Sequence, residues 1–248
     1  MSSNDIKIAV ILEAAGNAER FGSNKLLHPL KDGRPMVSLT LDKVREVSSD
    51  FSFGENKKGR PCNIIISKVL VTQYEEVAAL APDFKIMRNY HPEWGISHSM
   101  LLGIEAAGEV DAYMFCVCDQ PWLRASSIIR MIDVYAEAIN DSDSGSGSDS
   151  GSGSELDLYS SSDYNSRSEP ASHFFPIVSL AWQSSMYNPK IFSSVYKEEL
   201  LALSGDIGGR QIINRHRDEL LLVEAESEAE ITDIDALEDL MENETLEL

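Results

Sequence analysis

K-I-A-V-I-L-E-A-A-G-N-A-E-R-F-G-S-N-K, from Lys7 to Lys25, opens as a short apolar run and ends as a small, polar, cationic loop. Residues 7–12 are aliphatic and partly β-branched, which reads as a buried β-strand. Ala14, Ala15 and Gly16 follow at once, and small residues let backbone N–H groups come close to a phosphate chain. Arg20 and Lys25 then place a planar fork of donors and a mobile point charge within reach of such a ligand. The loop is neither G-x-x-x-x-G-K-[ST] nor G-x-G-x-x-G, so it matches neither common phosphate-binding pattern.

Working outward, strands alternate with helices. Pro35 suits a first helical turn, and Met36, Leu39, Leu41, Val44 and Val47 share one face of the helix that it opens. Residues 48–61 read as a surface loop. Residues 63–72 read as a strand, 74–80 as a short helix, 84–88 as a strand, 97–107 as a helix, 112–118 as a strand and 126–139 as a helix. After residue 172 the pattern resumes with a strand at 174–182, a helix at 192–203, a tight loop at 205–210, a helix at 211–215 and a strand at 219–223. Asp235 is placed to cap a last acidic helix. This alternation implies a mainly parallel sheet covered by helices on both faces.

The 248 residues carry a net charge of −20, and the excess is regional. Residues 140–170 hold seven acids and one base, and residues 218–248 hold thirteen acids and no Lys or Arg; outside them stand 21 acids and 20 bases. A broad basic stripe is missing, which argues against nucleic-acid binding. Residues 141–154, D-S-D-S-G-S-G-S-D-S-G-S-G-S, have too little apolar surface to offset the entropy of ordering. The stretch from about 140 to 172 is therefore expected to be a disordered insertion within one domain spanning residues 1–248. No run of apolar residues is long enough for a membrane span, and the first residues lack a signal-peptide layout, so cytoplasm is the expected location. Cys62, Cys116 and Cys118 show no metal-ligand spacing and read as thiols without a metal.

The stretch L-E-A-A-G-N-A-E-R-F-G-S-N-K-L-L (Leu12 to Leu27) resembles the L-A-A-G-x-S-x-R-x-G-x-x-K-L signature of the MobA-like nucleotidyltransferases. In order along the chain, W-G-I-S-H-S at 94–99, C-D-Q-P at 118–121, G-D-I-G-G-R at 205–210 and D-I-D-A-L-E-D-L at 233–240 are similar to further motifs of that family. Glu13, Ala18 and Cys118 depart from it, standing where the family has an apolar residue, Ser and Gly.

The resemblance implies a Rossmann-like three-layer α/β/α fold of the nucleotide-diphospho-sugar transferase kind, with a mainly parallel mixed sheet, and binding of a nucleoside triphosphate with Mg²⁺, or Mn²⁺ in its place. It implies nucleotide contacts from Leu12, Ala14, Ala15, Gly16, Arg20 and Lys25, and catalytic roles for Arg20, Lys25 and Asp119. Asp119 is the expected metal ligand, joined by Asp233 or Asp235. The two alternate in direction if extended, so one is expected to point in. Ser97, Ser99, Gly205, Asp206, Gly208 and Arg210 are expected at the acceptor, with Ser97 also suited to a helix N-cap. A-A-G is the form of the family's molybdopterin cytidylyltransferases, where guanylyl members have A-G-G. The expected reaction is transfer of CMP from CTP to the terminal phosphate of molybdopterin, with release of pyrophosphate. A sugar or polyol phosphate acceptor, or a non-catalytic accessory role delivering the cofactor to a molybdoenzyme, are the alternatives.

Overall fold

The computed structural model describes residues 5–16, 24–47, 51–55, 61–142, 174–236 and 238–240. Residues 143–173, which hold most of the expected disordered insertion, lie outside the described residues, and so do Ala18 and Arg20.

One mixed sheet organises the chain. β1 (Ile6–Ala14) lies between β3 (Pro61–Thr72) and β5 (Ala112–Val117) and is parallel to both. Paired on both edges and covered on both faces, β1 reads as a near-continuous apolar run, as a central parallel strand must. β2 (Phe51–Glu55) runs antiparallel along the start of β3, and β4 (Lys85–Arg88) runs parallel along its end. On the other side, β7 (Ser185–Ser193) joins β5 antiparallel, β6 (Ile177–Trp182) pairs antiparallel with β7, and β8 (Leu220–Glu224) closes the edge parallel to β6. The order is β2-β3-β1-β5-β7-β6-β8, with β4 on β3.

Helices cover both faces. α1 (Val37–Glu46), α2 (Glu75–Ala79) and α4 (Ala125–Ser142) pack on one, against residues such as Val10, Leu12, Met114 and Cys116. α3 (Ile96–Ala107), α5 (Lys197–Leu201) and α6 (Arg210–Arg215) pack on the other, against Ala9, Ile11, Val71, Phe115 and Phe192. In α1, Val37, Thr40, Leu41 and Val44 are buried, a stripe at helical spacing that faces the sheet. No helix among the described residues is long and apolar enough to cross a membrane.

Three local expectations change. Residues 51–55, read as loop, form β2. The expected helix at 192–203 begins later, because residues 185–193 form β7; Phe192 and Ile191 alternate between the two cores as strand residues. Ser97 is not an N-cap: Gly95 is, and Ser97 lies in the first turn of α3 with its N–H donated to the Gly205 carbonyl at 3.2 Å.

The segment after β8 is fastened by a buried acid. Glu230 accepts from the Ser127 hydroxyl at 2.5 Å and from the Arg124 amide at 3.3 Å at the start of α4, and from the Glu226 amide at 2.8 Å. These bonds satisfy a fully buried carboxylate. They fix the turn at Glu228–Ile231, from which the chain runs on to Asp233 and Asp235.

Candidate nucleotide site

The site forms at the carboxyl ends of β1, β3 and β5, where ligands gather in open α/β sheets. Three side chains beyond β3 orient the loop after β1. The Thr72 hydroxyl donates to the Ala14 carbonyl at 3.0 Å, the Gln73 amide to Ala15 at 2.7 Å and the Tyr74 hydroxyl to Gly16 at 3.2 Å. In a trans peptide the following N–H points opposite its carbonyl, so the amides of Ala15 and Gly16 face away from β3 and α2. A backbone so turned presents donors to an anion.

Opposite this loop is a cradle of oxygens around one ammonium. Lys25 Nζ lies 2.9 Å from Asp119 Oδ2, 2.8 Å from the Ile234 carbonyl and 3.2 Å from Asp235 Oδ1. Asn24 caps the turn that carries Lys25, its side chain accepting from the Leu26 amide at 3.1 Å. Burial works to lower the Lys25 pKa, but Asp119 and Asp235 outweigh it and hold the ammonium charged. The Ile234 amide donates to the Asp119 carbonyl at 2.9 Å, tying residues 233–235 to the end of β5. Asp233 accepts from the Gln120 amide at 2.8 Å, and burial together with the Asp119 charge raises its pKa. Both carboxylates therefore stand at this cluster, where alternation would aim only one. Residues 232–235 form no regular strand, so alternation does not govern them.

Between loop and cradle lies a cavity of about 400 Å³, lined by Ala14, Ala15, Gly16, Lys25 and Asp119, and on the far side by Pro92, Glu93, Gly95, Ile96, Ser99 and Asp206. The far wall depends on a close crossing of two loops. Gly95 has φ +85°, and a Cβ there would stand 2.7 Å from the Asp206 amide and closer still to the Gly205 carbonyl. Ser99 is buried and accepts from the Asn89 side chain at 3.0 Å, which leaves its own proton free to be donated.

Glu13 forms part of the cavity floor, and one of its carboxylate oxygens is buried without a hydrogen-bond partner. Burial pushes its carboxyl up to about 8; the Lys190 charge opposes the shift and the Asp119 charge adds to it. The unfolded chain ionises this acid near its ordinary value, so the native state loses stability as pH rises from about 4.5 to 8. Glu13→Gln is expected to raise stability at pH 8 by on the order of 2 kcal/mol, with little change at pH 4.5. Thermal midpoints at the two pH values check this, and a gap that does not widen with pH would refute it.

The structure brings Ala14, Ala15, Gly16, Lys25, Asp119, Ser99 and Asp206 to one cavity and Asp233 and Asp235 to its cradle. Leu12 does not line it: its side chain is fully buried and its backbone lies in the ladder between β3 and β5. Ser97, Gly205, Gly208 and Arg210 do not line it either; Arg210 begins α6 and is exposed. Thr72, Gln73, Tyr74, Glu93 and Lys190 are at or near the site without a sequence motif to announce them. Among the described residues, no three Asp, Glu, His or Cys side chains group as a metal cluster by themselves. The donors around Lys25 are nonetheless all hard oxygens, the set that Mg²⁺ or Mn²⁺ takes together with phosphate and water.

A family model described as a MobA-like NTP transferase domain matches residues 9–220. No curated protein matches the sequence. Among solved structures, Rv0371c from Mycobacterium tuberculosis H37Rv superposes with a TM-score of 0.65 at 18% identity over 98% of both chains. Its complex with manganese gives 0.60 at 16% identity, over 96% of this chain and 97% of that one. A nucleotidyl transferase from Methanothermobacter thermautotroptrophicus gives 0.62 at 18% identity over 96% of both chains. The 4-diphosphocytidyl-2C-methyl-D-erythritol synthase from Anaerococcus prevotii DSM 20548 gives 0.60 at 15% identity, over 98% of this chain and 97% of that one.

Proposed function

Because the chain belongs to the MobA-like NTP transferase family, a family of nucleotidyltransferases, we propose that it transfers CMP from CTP to the terminal phosphate of molybdopterin. The observation that carries this reading is the Lys25 ammonium held between Asp119, Asp235 and the Ile234 carbonyl, across a cavity from the turned backbone of Ala14–Gly16. Triphosphate oxygens against the loop amides, with cationic charge opposite, are what such an arrangement stabilises.

In the proposed reaction a phosphate oxygen of the acceptor attacks the α-phosphorus of CTP. The new P–O bond forms as the bond to the β-phosphate oxygen breaks, and pyrophosphate leaves with the electron pair. A phosphate nucleophile is already ionised, so no general base is needed and alignment with charge neutralisation supplies the rate. Lys25 stabilises charge on the phosphates, the Ala15 and Gly16 amides orient the nucleotide, and Ser99, on the far wall of the cavity, contacts the acceptor. Asp119 with Asp235 or Asp233 would hold a divalent cation, which neutralises charge on phosphate oxygens when bound. The manganese complex of the mycobacterial structure supports that cation class. Ala14-Ala15-Gly16 is the basis for CTP over GTP.

A polyol phosphate acceptor is the second reading, favoured by the likeness to the Anaerococcus cytidylyltransferase. The test is pyrophosphate release with Mg²⁺ or Mn²⁺, CTP or GTP, and molybdopterin or 2C-methyl-D-erythritol 4-phosphate as acceptor. Release with CTP and molybdopterin alone supports the proposal. Release with the polyol phosphate replaces the acceptor, release with GTP replaces the nucleotide, and none with any pair moves the reading to a cofactor-delivering accessory protein.

A further inference from the structure

Glu13, in register with Val117, and Lys190, in register with Phe115, project from the same face of the sheet, the face covered by α3, α5 and α6. β7 runs antiparallel to β5, so Lys190 sits toward the carboxyl end of the central strands, the end that carries the cavity. Its ammonium donates to Asn188 Oδ1 at 2.7 Å, a neutral acceptor. Among the described residues no carboxylate lies within ion-pair distance of Lys190 or Arg210.

Phe192 follows two positions along β7, on the same face. Gly209 packs directly on the Phe192 ring: a Cβ at Gly209 would stand 2.8 Å from its edge and closer to its tip. This contact seats the start of α6, where Arg210 lies, against β7 two positions from Lys190. The same loop supplies Asp206 to the cavity wall. Lys190 and Arg210 thus lie on elements that pack together beside the loop supplying Asp206, each without an ion-paired acid among the described residues. Burial lowers the Lys190 pKa to about 8; the Glu13 charge opposes the fall, the Arg210 charge adds to it, and the Asp233 charge opposes it. A dianion placed between two such cations relieves their repulsion and gains charge-assisted hydrogen bonds from both.

We propose that Lys190, together with Arg210, binds the phosphate monoester of the acceptor. The proposal rests on the nucleotidyltransferase reading for its acceptor but not for its anion. It gives the two ends of the reaction separate cations, Lys25 for the nucleotide and Lys190 with Arg210 for the incoming phosphate.

The test has two arms. In steady state, Lys190→Ala is expected to raise the KM for the phosphorylated acceptor by about ten- to a hundredfold, the usual loss for a hydrogen bond to a charged group, with the KM for CTP unchanged. Lys190→Arg is expected to restore most of it. An equal rise in the CTP KM would put the lysine at the triphosphate and overturn the proposal, as would no change in either. In the second arm, inorganic phosphate is compared with chloride at matched ionic strength. Phosphate is expected to raise the thermal midpoint of the wild-type protein and not that of Lys190→Ala. If the protein transfers CMP to no pterin yet this difference holds, the proposed acceptor fails and the anion site stands. If phosphate stabilises Lys190→Ala as much as wild type, the anion site falls whatever the acceptor.

Discussion

Replacing Asp119 with alanine is expected to lower pyrophosphate release by about a thousandfold or more, the scale on which removing a preorganised charge-stabilising group acts. The carboxylate is the shared partner in the cradle: it holds Lys25 at 2.9 Å and shapes the titration of both Lys25 and Asp233. Without it the ammonium keeps only Asp235 and the Ile234 carbonyl, and a divalent cation at the proposed site would lose one of its acids. The fold is expected to survive, because residues 233–235 are tied to the main-chain carbonyl of residue 119, which the substitution leaves in place. Binding of Mn²⁺ is expected to weaken in parallel with turnover, and the thermal midpoint without metal to change little. Turnover near the wild-type rate would remove Asp119 from the proposed chemistry.

A single methyl group at Gly95 is expected to have the largest effect on the cavity wall. Alanine there meets two obstacles at once. Its φ of +85° is a conformation that costs an L-residue roughly 1–3 kcal/mol. Its Cβ also lands on the main chain of Gly205 and Asp206, which has no rotamer by which to move aside. Overpacking of that kind adds about 1–3 kcal/mol more. Gly95→Ala is therefore expected to destabilise the protein by about 2–6 kcal/mol and to weaken nucleotide binding, since the start of α3, which bears Ser99, and the loop bearing Asp206 are forced apart. Gly205 provides the comparison: its φ is +70° but its Cβ position is open, so Gly205→Ala is expected to carry only the conformational part. Denaturant unfolding of both variants checks the difference, and equal losses would mean that the loop crossing is not tight.

The central strands were legible because burial on both faces leaves a simple record. β1, β3 and β5 are aliphatic runs, and a small-residue loop directly after β1 marks the ligand end. β7 was not legible. Its nine residues, S-M-Y-N-P-K-I-F-S, contain a proline and no clean alternation, and Phe192 equally suits a helix start. Missing β7 also hid Lys190, because a lysine becomes meaningful only when the register shows which face it shares with Glu13. β2 was hidden by its Gly and Ser content and is held by pairing with β3 rather than by propensity. Within the site, Lys25 was readable as a charge on the loop after β1, and Asp119 from the likeness of C-D-Q-P to the family's motif. Thr72, Gln73 and Tyr74 were not, since a side chain that bonds a distant carbonyl leaves no periodic trace. Arg20 lies outside the described residues, so its place at the phosphates stands as proposed from the sequence alone.

The contacts from Lys25 to Ile234 and Asp235 join positions 209 and 210 residues apart. Loops of that length close late, because their chain entropy must be overcome before the contact rewards it. During vectorial synthesis the strand, loop and lysine emerge early, while the second carboxylate follows only after β6, β7 and β8. A nascent chain therefore exposes a phosphate-seeking loop long before it owns a complete cation cradle. On the proposed function, nucleotide and metal bound at the finished site would act as a clasp that favours the complete topology over its precursors.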